Sequence, residues 1–294
     1  MARLGTVLAA MVTPFDDEGA LDPKAAAELA RWLVEHGVDG LVLAGTTGES
    51  PTLDDDEKLE LFATVRGAVD VPLVAGTGSN DTRHSVELTR RATEAGVDGI
   101  LAVTPYYNRP SQAGIADHFR SIAAATDLPV VIYDIPFRTG RKVESEVLVR
   151  LASEVDNIAG LKDAAGDPGE TARVLAEAPD DFELYSGEDS LTLPLLAVGA
   201  VGVVGVAAHW SGRQHREMID AYRAGDVERA RRINESLLES FAYETGPDAP
   251  NPVPTKVMMR VLGLSVGTCR PPLGPEPDGL EAAAEAVLAN LDRA

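Results

Sequence analysis

The 294-residue chain holds a single cysteine, Cys269, so no intrachain disulfide can form. With no cluster of Cys or His, a zinc site is not expected, and Cys269 reads as a minor structural thiol. Long uncharged apolar runs are missing and mean hydropathy is -0.04, so no membrane span is expected. The first residues, Met1-Ala-Arg-Leu-Gly, lead straight into a strand-like segment and lack the shape of a secretory signal. Positive charge is scarce: 26 basic against 47 acidic residues give a net charge of -21. That balance argues against nucleic-acid binding, which needs a basic footprint. The acid is dispersed, as in Asp54 to Glu57, Glu177 to Asp181 and Glu276 to Asp278, and reads as solvated faces. Lysine is scarcest, with 5 among the 26 basic residues. A cytoplasmic enzyme fits, from a salt-tolerant or high-GC source.

What the chain does contain is an alternation of short apolar runs and amphipathic stretches. Candidate strands are 6–12, 40–43, 72–75, 99–103, 130–133, 158–161, 183–185 and 202–206. Each is near-continuously apolar, as expected of strands buried on both faces of a parallel sheet. Helical patterns cover 23–36, 54–68 and 81–95, the first with Asp22 as N-cap and Pro23 at its first position. Glu35-His36-Gly37-Val38-Asp39-Gly40-Leu41 echoes Glu94-Ala95-Gly96-Val97-Asp98-Gly99-Ile100: a helix ends, Gly caps it, and a strand begins. Eight such units predict an α/β fold, a closed (β/α)8 TIM barrel over residues 1–224. An open doubly wound sheet would need a Gly-rich loop after the first strand, where Thr13-Pro14-Phe15-Asp16 stands instead. Residues 225–294 turn all-helical, with patterns over 227–245, 255–262 and 278–291 and a proline-rich turn over 247–254, and read as a C-terminal helical extension.

In such a barrel, reactive residues sit at the C-terminal ends of strands. Lys162 ends the sixth run. A lysine there is poorly solvated, and desolvation favours the neutral amine, a nucleophile toward ketones. Tyr133 ends the preceding run and can shuttle protons at the same place. Thr46 and Thr47, in Gly45-Thr46-Thr47-Gly48, offer hydroxyls and N–H groups at a helix N-terminus, a cradle for a carboxylate. Thr46 could also relay a proton between tyrosines. Arg138 can grip a second carboxylate with two parallel hydrogen bonds. Each residue has a plainer reading. Lys162 could be paired to a carboxylate, Gly45–Gly48 could be a tight turn, and Tyr133 a core aromatic. Tyr106 and Tyr107 could be rim packing or an interface patch, and Arg138 a surface ion pair. Their joint placement at one barrel mouth favours chemistry.

The stretches 10–15, 45–50, 75–78, 104–110, 133–140, 160–163, 186–189 and 251–256 together resemble the dihydrodipicolinate synthase branch of the pyruvate-dependent class I aldolase superfamily, which also holds N-acetylneuraminate lyase. The resemblance spans nearly the whole chain. It implies a Schiff-base lyase that condenses pyruvate with L-aspartate-4-semialdehyde in diaminopimelate and lysine biosynthesis, with no metal or organic cofactor. It implies that Lys162 forms the imine and that Thr46, Tyr107 and Tyr133 form a proton relay, Tyr107 reaching across a subunit interface. Thr47 would bind the pyruvate carboxylate and Arg138 that of the semialdehyde, while Gly187 and Val204 would shape the site through their backbone. A homotetramer, a dimer of tight dimers, is the expected assembly. Arg138-Thr139-Gly140 and the pair Tyr106-Tyr107 favour the synthase. Phe137 stands where relatives carry a small residue, which keeps a 2-keto-3-deoxy-sugar-acid aldolase or an N-acetylneuraminate-type lyase open. A catalytically silent binding or regulatory barrel is the non-enzyme alternative. His84 and Asp55 replace residues of the lysine-inhibited pattern near Asn80, so weak or absent lysine inhibition is expected.

Overall fold

The computed structural model describes residues 2–291; Met1 of the expected N-terminal segment and residues 292–294 of the helical extension lie outside it. Eight parallel strands follow the chain: β1 (Val7–Ala10), β2 (Gly40–Leu43), β3 (Leu73–Gly76), β4 (Gly99–Val103), β5 (Val130–Asp134), β6 (Ile158–Asp163), β7 (Glu183–Ser186) and β8 (Gly202–Gly205). Each pairs with its successor, and β8 returns to β1, closing the barrel. All eight expected strands are present, displaced at their ends by up to two residues.

The intervening helices are α1 (Pro23–Glu35), α2 (Asp55–Arg66), α3 (Thr82–Glu94), α4 (Gln112–Ala123), α5 (Pro136–Thr139), α6 (Ser145–Glu154), α7 (Pro168–Glu177), α8 (Thr192–Ala197) and α9 (Ala208–Arg223). Their ends follow local chemistry. The Asp22 carboxylate accepts the Ala25 N–H at 3.0 Å, capping α1 behind Pro23. Asp54 and Glu57 form a reciprocal capping box on α2. Gly37 and Gly96 close the two repeated units with φ of +100° and +81°, a left-handed conformation open to glycine.

Alternation along the strands divides two cores. Leu8, Val42, Val74, Leu101, Val131, Tyr133, Tyr185 and Val204 fill the barrel interior. Val7, Leu41, Leu43, Leu73, Ile100, Ile132 and Leu161 face the helices. Each such buried aliphatic contributes about 1.5–3 kcal/mol relative to exposure.

After the barrel come α10 (Val227–Tyr243), α11 (Val253–Val261) and α12 (Leu280–Leu291). Trp210 on α9 donates to Ser240 Oγ of α10 at 3.1 Å, and the Tyr243 hydroxyl donates to the Pro254 carbonyl at 3.2 Å. The proline-rich turn is shorter than expected. Val253 and Pro254 already belong to the first turn of α11, where a missing proline N–H leaves nothing unbonded.

Candidate active site

The sixth strand explains the site. Tyr133 and Lys162 are direct partners across β5 and β6, and Lys162 in turn pairs with Tyr185 on β7. Side chains alternate along a strand, so these three point into the barrel while Asp134 and Asp163 point out. Lys162 is 5 % exposed, and its Nζ lies 4.3 Å from the centre of the Tyr133 ring. Burial pulls its pKa down to about 8; Asp189 opposes that fall and Arg138 adds to it. Among the described residues no carboxylate is paired with Lys162, so the plain ion-pair reading does not hold. Tyr133 moves the other way. Burial pushes its phenol up to about 12, against the pull of the nearby Arg138 guanidinium and Thr46 hydroxyl.

Above them opens a cavity of about 220 Å³. Thr46, Tyr106, Tyr133, Ile135 and Arg138 line it. The structure therefore brings Thr46, Tyr133 and Arg138 to one cavity; Lys162 does not line it but packs against the lining Tyr133. Gly187 belongs to the same spot: a Cβ there would meet Lys162 Cγ at 2.9 Å, so only a glycine lets the lysine stem lie flat on the β7 end. Val204 points into the barrel from β8. Arg138 is exposed to solvent and has no carboxylate partner among the described residues, so it is not a surface ion pair.

Three expectations change. Thr46 and Thr47 are not at an α-helix N-terminus; they form a turn that continues into a short 3-10 segment, Ser50–Thr52, before α2 begins. The turn is bent by left-handed Ala44 and Glu49, with φ of +50° and +57°. Thr47 is not on the cavity wall either. Its hydroxyl oxygen accepts a hydrogen bond from Asn251 Nδ2 at 2.9 Å, leaving its own hydrogen free to donate. Phe137 does not crowd the cavity: its ring is 94 % exposed, turned away from the wall that Arg138 lines. The two adjacent tyrosines separate. Tyr106 stays on the cavity, whereas Tyr107, at φ +68°, is turned out and 90 % exposed.

The sequence left some of the framework without a role. Glu49 is buried beside the Thr46–Thr47 turn, where one oxygen lies 2.8 Å from Lys256 Nζ and the other accepts the Arg270 N–H at 2.8 Å. Lys256 also donates to the Thr268 carbonyl at 2.9 Å and sits over the Phe15 ring. Asn251 and Lys256 thus tie the C-terminal segment to the turn. Their only sequence signal was the stretch Asn251–Lys256, whose polar ends flank prolines.

Residues 3–290 match the model of the dihydrodipicolinate synthetase family. A 4-hydroxy-tetrahydrodipicolinate synthase of Moorella thermoacetica is 50 % identical over 273 residues, 92 % of each chain. One from Acidothermus cellulolyticus is 52 % identical over 92 % of this chain and 87 % of its own. Among solved structures, a dihydrodipicolinate synthase of Cyanidioschyzon merolae with lysine bound superposes with a TM-score of 0.96 at 41 % identity, over 99 % of both chains. One from Bacillus anthracis gives 0.94 at 42 %, over 98 % of this chain and 99 % of that one.

Proposed function

Because the chain belongs to the dihydrodipicolinate synthetase family, we propose that it catalyses the 4-hydroxy-tetrahydrodipicolinate synthase reaction, joining pyruvate to L-aspartate-4-semialdehyde through an imine on Lys162. The observation that carries this reading is the buried, unpaired Lys162 whose pKa falls to about 8, in register with Tyr133. At pH 7 about a tenth of such an amine is unprotonated, several hundredfold more than for an ordinary lysine. It attacks the pyruvate carbonyl carbon, and the resulting carbinolamine loses water to give an iminium. Loss of a methyl proton leaves an enamine, which adds to the aldehyde carbon of the semialdehyde. The amino group of the adduct then displaces Lys162 and closes the ring. No metal or organic cofactor enters this scheme.

The proton transfers fall to Tyr133, with Thr46 beside it and Tyr107 supplied by a neighbouring subunit. A phenol held at about 12 stays protonated until it gives its hydrogen to a developing oxyanion. Thr47 does not itself line the cavity, but it adjoins the lining Thr46 and its hydroxyl hydrogen is free, and in this reading it receives the pyruvate carboxylate. Arg138, unpaired on the cavity wall, receives the semialdehyde carboxylate. Gly187 and Val204 bound the imine carbon.

The assembly that suits this reading is a homotetramer of tight dimers in the cytoplasm, with residues 225–294 as the helical appendage of each barrel. The outward Tyr107 supports it, since it completes the relay only in another protomer. No helix among the described residues is long and apolar enough to cross a membrane. A sugar-acid lyase would use the same imine but needs hydroxyl partners where Arg138 stands.

Borohydride trapping with pyruvate, peptide mapping, and a parallel semialdehyde-consumption assay test the reading. An adduct on Lys162 with consumption of the semialdehyde is expected. An adduct without consumption would move the activity to a sugar-acid lyase, and no adduct in folded protein would leave a silent barrel.

A further inference from the structure

Arg138 reaches the cavity from a loop whose foot is held by side chains of β5 and α4. The loop runs from the end of β5 to the start of α6, and α5 forms its first turn. There the Arg138 and Thr139 N–H groups both donate to the Ile135 carbonyl at 3.0 Å. Gly140, at φ +69°, then reverses the chain. Arg138 has no carboxylate partner among the described residues, so the aim of its guanidinium rests on the backbone beneath it.

Residues 142–144 form the foot. On one edge the buried Asp134 accepts the Val143 N–H at 3.2 Å through Oδ1. On the other edge stands Gln112, the first residue of α4. Its Nε2 donates to the Lys142 carbonyl at 2.9 Å, and its Oε1 accepts the Glu144 N–H at 3.1 Å. Neither of those two groups has a backbone partner among the described residues. One needs a donor and the other an acceptor, which fixes the orientation of the amide. An amide meets both demands at once; a carboxylate or an alkyl chain of the same length cannot.

Gln112 also ends the preceding loop. That loop follows β4, carries Tyr106 onto the cavity, and passes through Ser111, whose hydroxyl accepts the Gly114 N–H at 3.2 Å and caps α4. One side chain thus joins the loop of Tyr106 to the loop of Arg138, across 30 positions of sequence.

We infer that Gln112 is a positioning residue for the second substrate: by clamping residues 142 and 144 it sets the aim of Arg138 relative to Tyr106. The inference rests on the reading in which Arg138 receives the semialdehyde carboxylate. With the clamp made, little loop freedom remains to be lost when that carboxylate binds. Without it the foot keeps only Asp134, and the ordering cost falls on binding. Pyruvate, joined to Lys162 and held by the Thr46–Thr47 turn in the same reading, does not draw on this loop. Asp134 is a poorer probe of the foot, because burial pushes its carboxyl up to about 7 and a substitution there alters charge as well as the bond.

Gln112→Ala removes both bonds and should raise the KM for the semialdehyde about 5- to 10-fold, with kcat changed less than about threefold. The pyruvate needed for borohydride trapping should stay within about twofold. Made on top of Arg138→Ala, the same substitution should add less than about twofold, since the residue it works through is gone. Gln112→Glu provides for a variant that fails to fold. A carboxylate in the first turn of a helix is favourable and offsets much of the lost bond, yet the donor for Lys142 is gone, so the same KM should rise about threefold. Independently of turnover, the Val143 amide, which Gln112 does not touch, should exchange about fivefold faster in Gln112→Ala. An unmoved semialdehyde KM, an equal rise for pyruvate, or an effect that adds fully to Arg138→Ala would mean a merely structural role and overturn the inference. Failure of the wild type itself to consume the semialdehyde would instead strike the proposed function. The Val143 amide then decides the clamp alone, faster exchange supporting it and unmoved exchange overturning it.

Discussion

Two lysines are buried at the same end of this barrel, and they differ in company. Lys256 on α11 meets Glu49 at 2.8 Å and a backbone carbonyl at 2.9 Å. Lys162 on β6 has an aromatic ring beside it and, among the described residues, no paired carboxylate. Burial lowers the pKa of both. For Lys256 the adjacent carboxylate gives back much of the stabilisation of the cation, and the pair holds a turn in place. For Lys162 no carboxylate among the described residues stands within ion-pairing distance, so burial acts almost unopposed and the amine stays reactive. Burial alone does not make a nucleophile; the partner decides.

The sharpest way to break the comparison is to remove each lysine. Lys162→Ala should abolish the trapped adduct and lower turnover by about 10⁴-fold or more, while leaving the melting transition intact or raised. Lys256→Met should do the reverse. It strands Glu49 as an uncompensated buried charge and should lower unfolding free energy by about 3–5 kcal/mol in denaturant titrations, with the adduct still on Lys162 in the folded fraction. Acid then separates the two without mutation. With Lys162 at about 8, each pH unit below removes about tenfold of the free amine, so imine formation at pH 6 should run about 100-fold below its plateau above pH 8. A profile that is flat through this range would mean that Lys162 is not the titrating nucleophile.

Asn251→Ala tests the turn from the other side. Losing the Asn251–Thr47 bond should raise the KM for pyruvate about 3- to 10-fold, the worth of one net hydrogen bond, with kcat nearly unchanged. The smallest expected effect concerns lysine as a free ligand. Asp55 is already engaged by His84 at 2.9 Å and approached by Lys58 at 3.7 Å, as Glu49 is by Lys256. It has little left to offer an added ammonium, so micromolar L-lysine should neither bind in calorimetry nor slow turnover.

The eight strands were legible because strands buried on both faces are short unbroken apolar runs. The same property hid their facing. Without a period of two, nothing in Tyr133-Asp134 said which side chain enters the barrel. Lys162 was legible as a charge within an apolar run, and Arg138 as part of a local motif. Phe137 was not, because nothing in its local sequence decides whether its ring lines the cavity or leaves it. The Glu49–Lys256 and Thr47–Asn251 contacts were also out of reach, since they join residues some two hundred positions apart.

That separation has a consequence for how the enzyme is made. The turn carrying Thr46 and Thr47 emerges early in synthesis, but its Asn251 anchor follows 204 residues later. At roughly 5–20 residues per second, the ribosome needs about 10–40 s to deliver it. By the end of that interval most of the barrel has been made while the turn proposed to hold pyruvate still waits for its anchor. Nascent chains released before Asn251 should therefore contain Lys162 and yet bind the keto acid poorly.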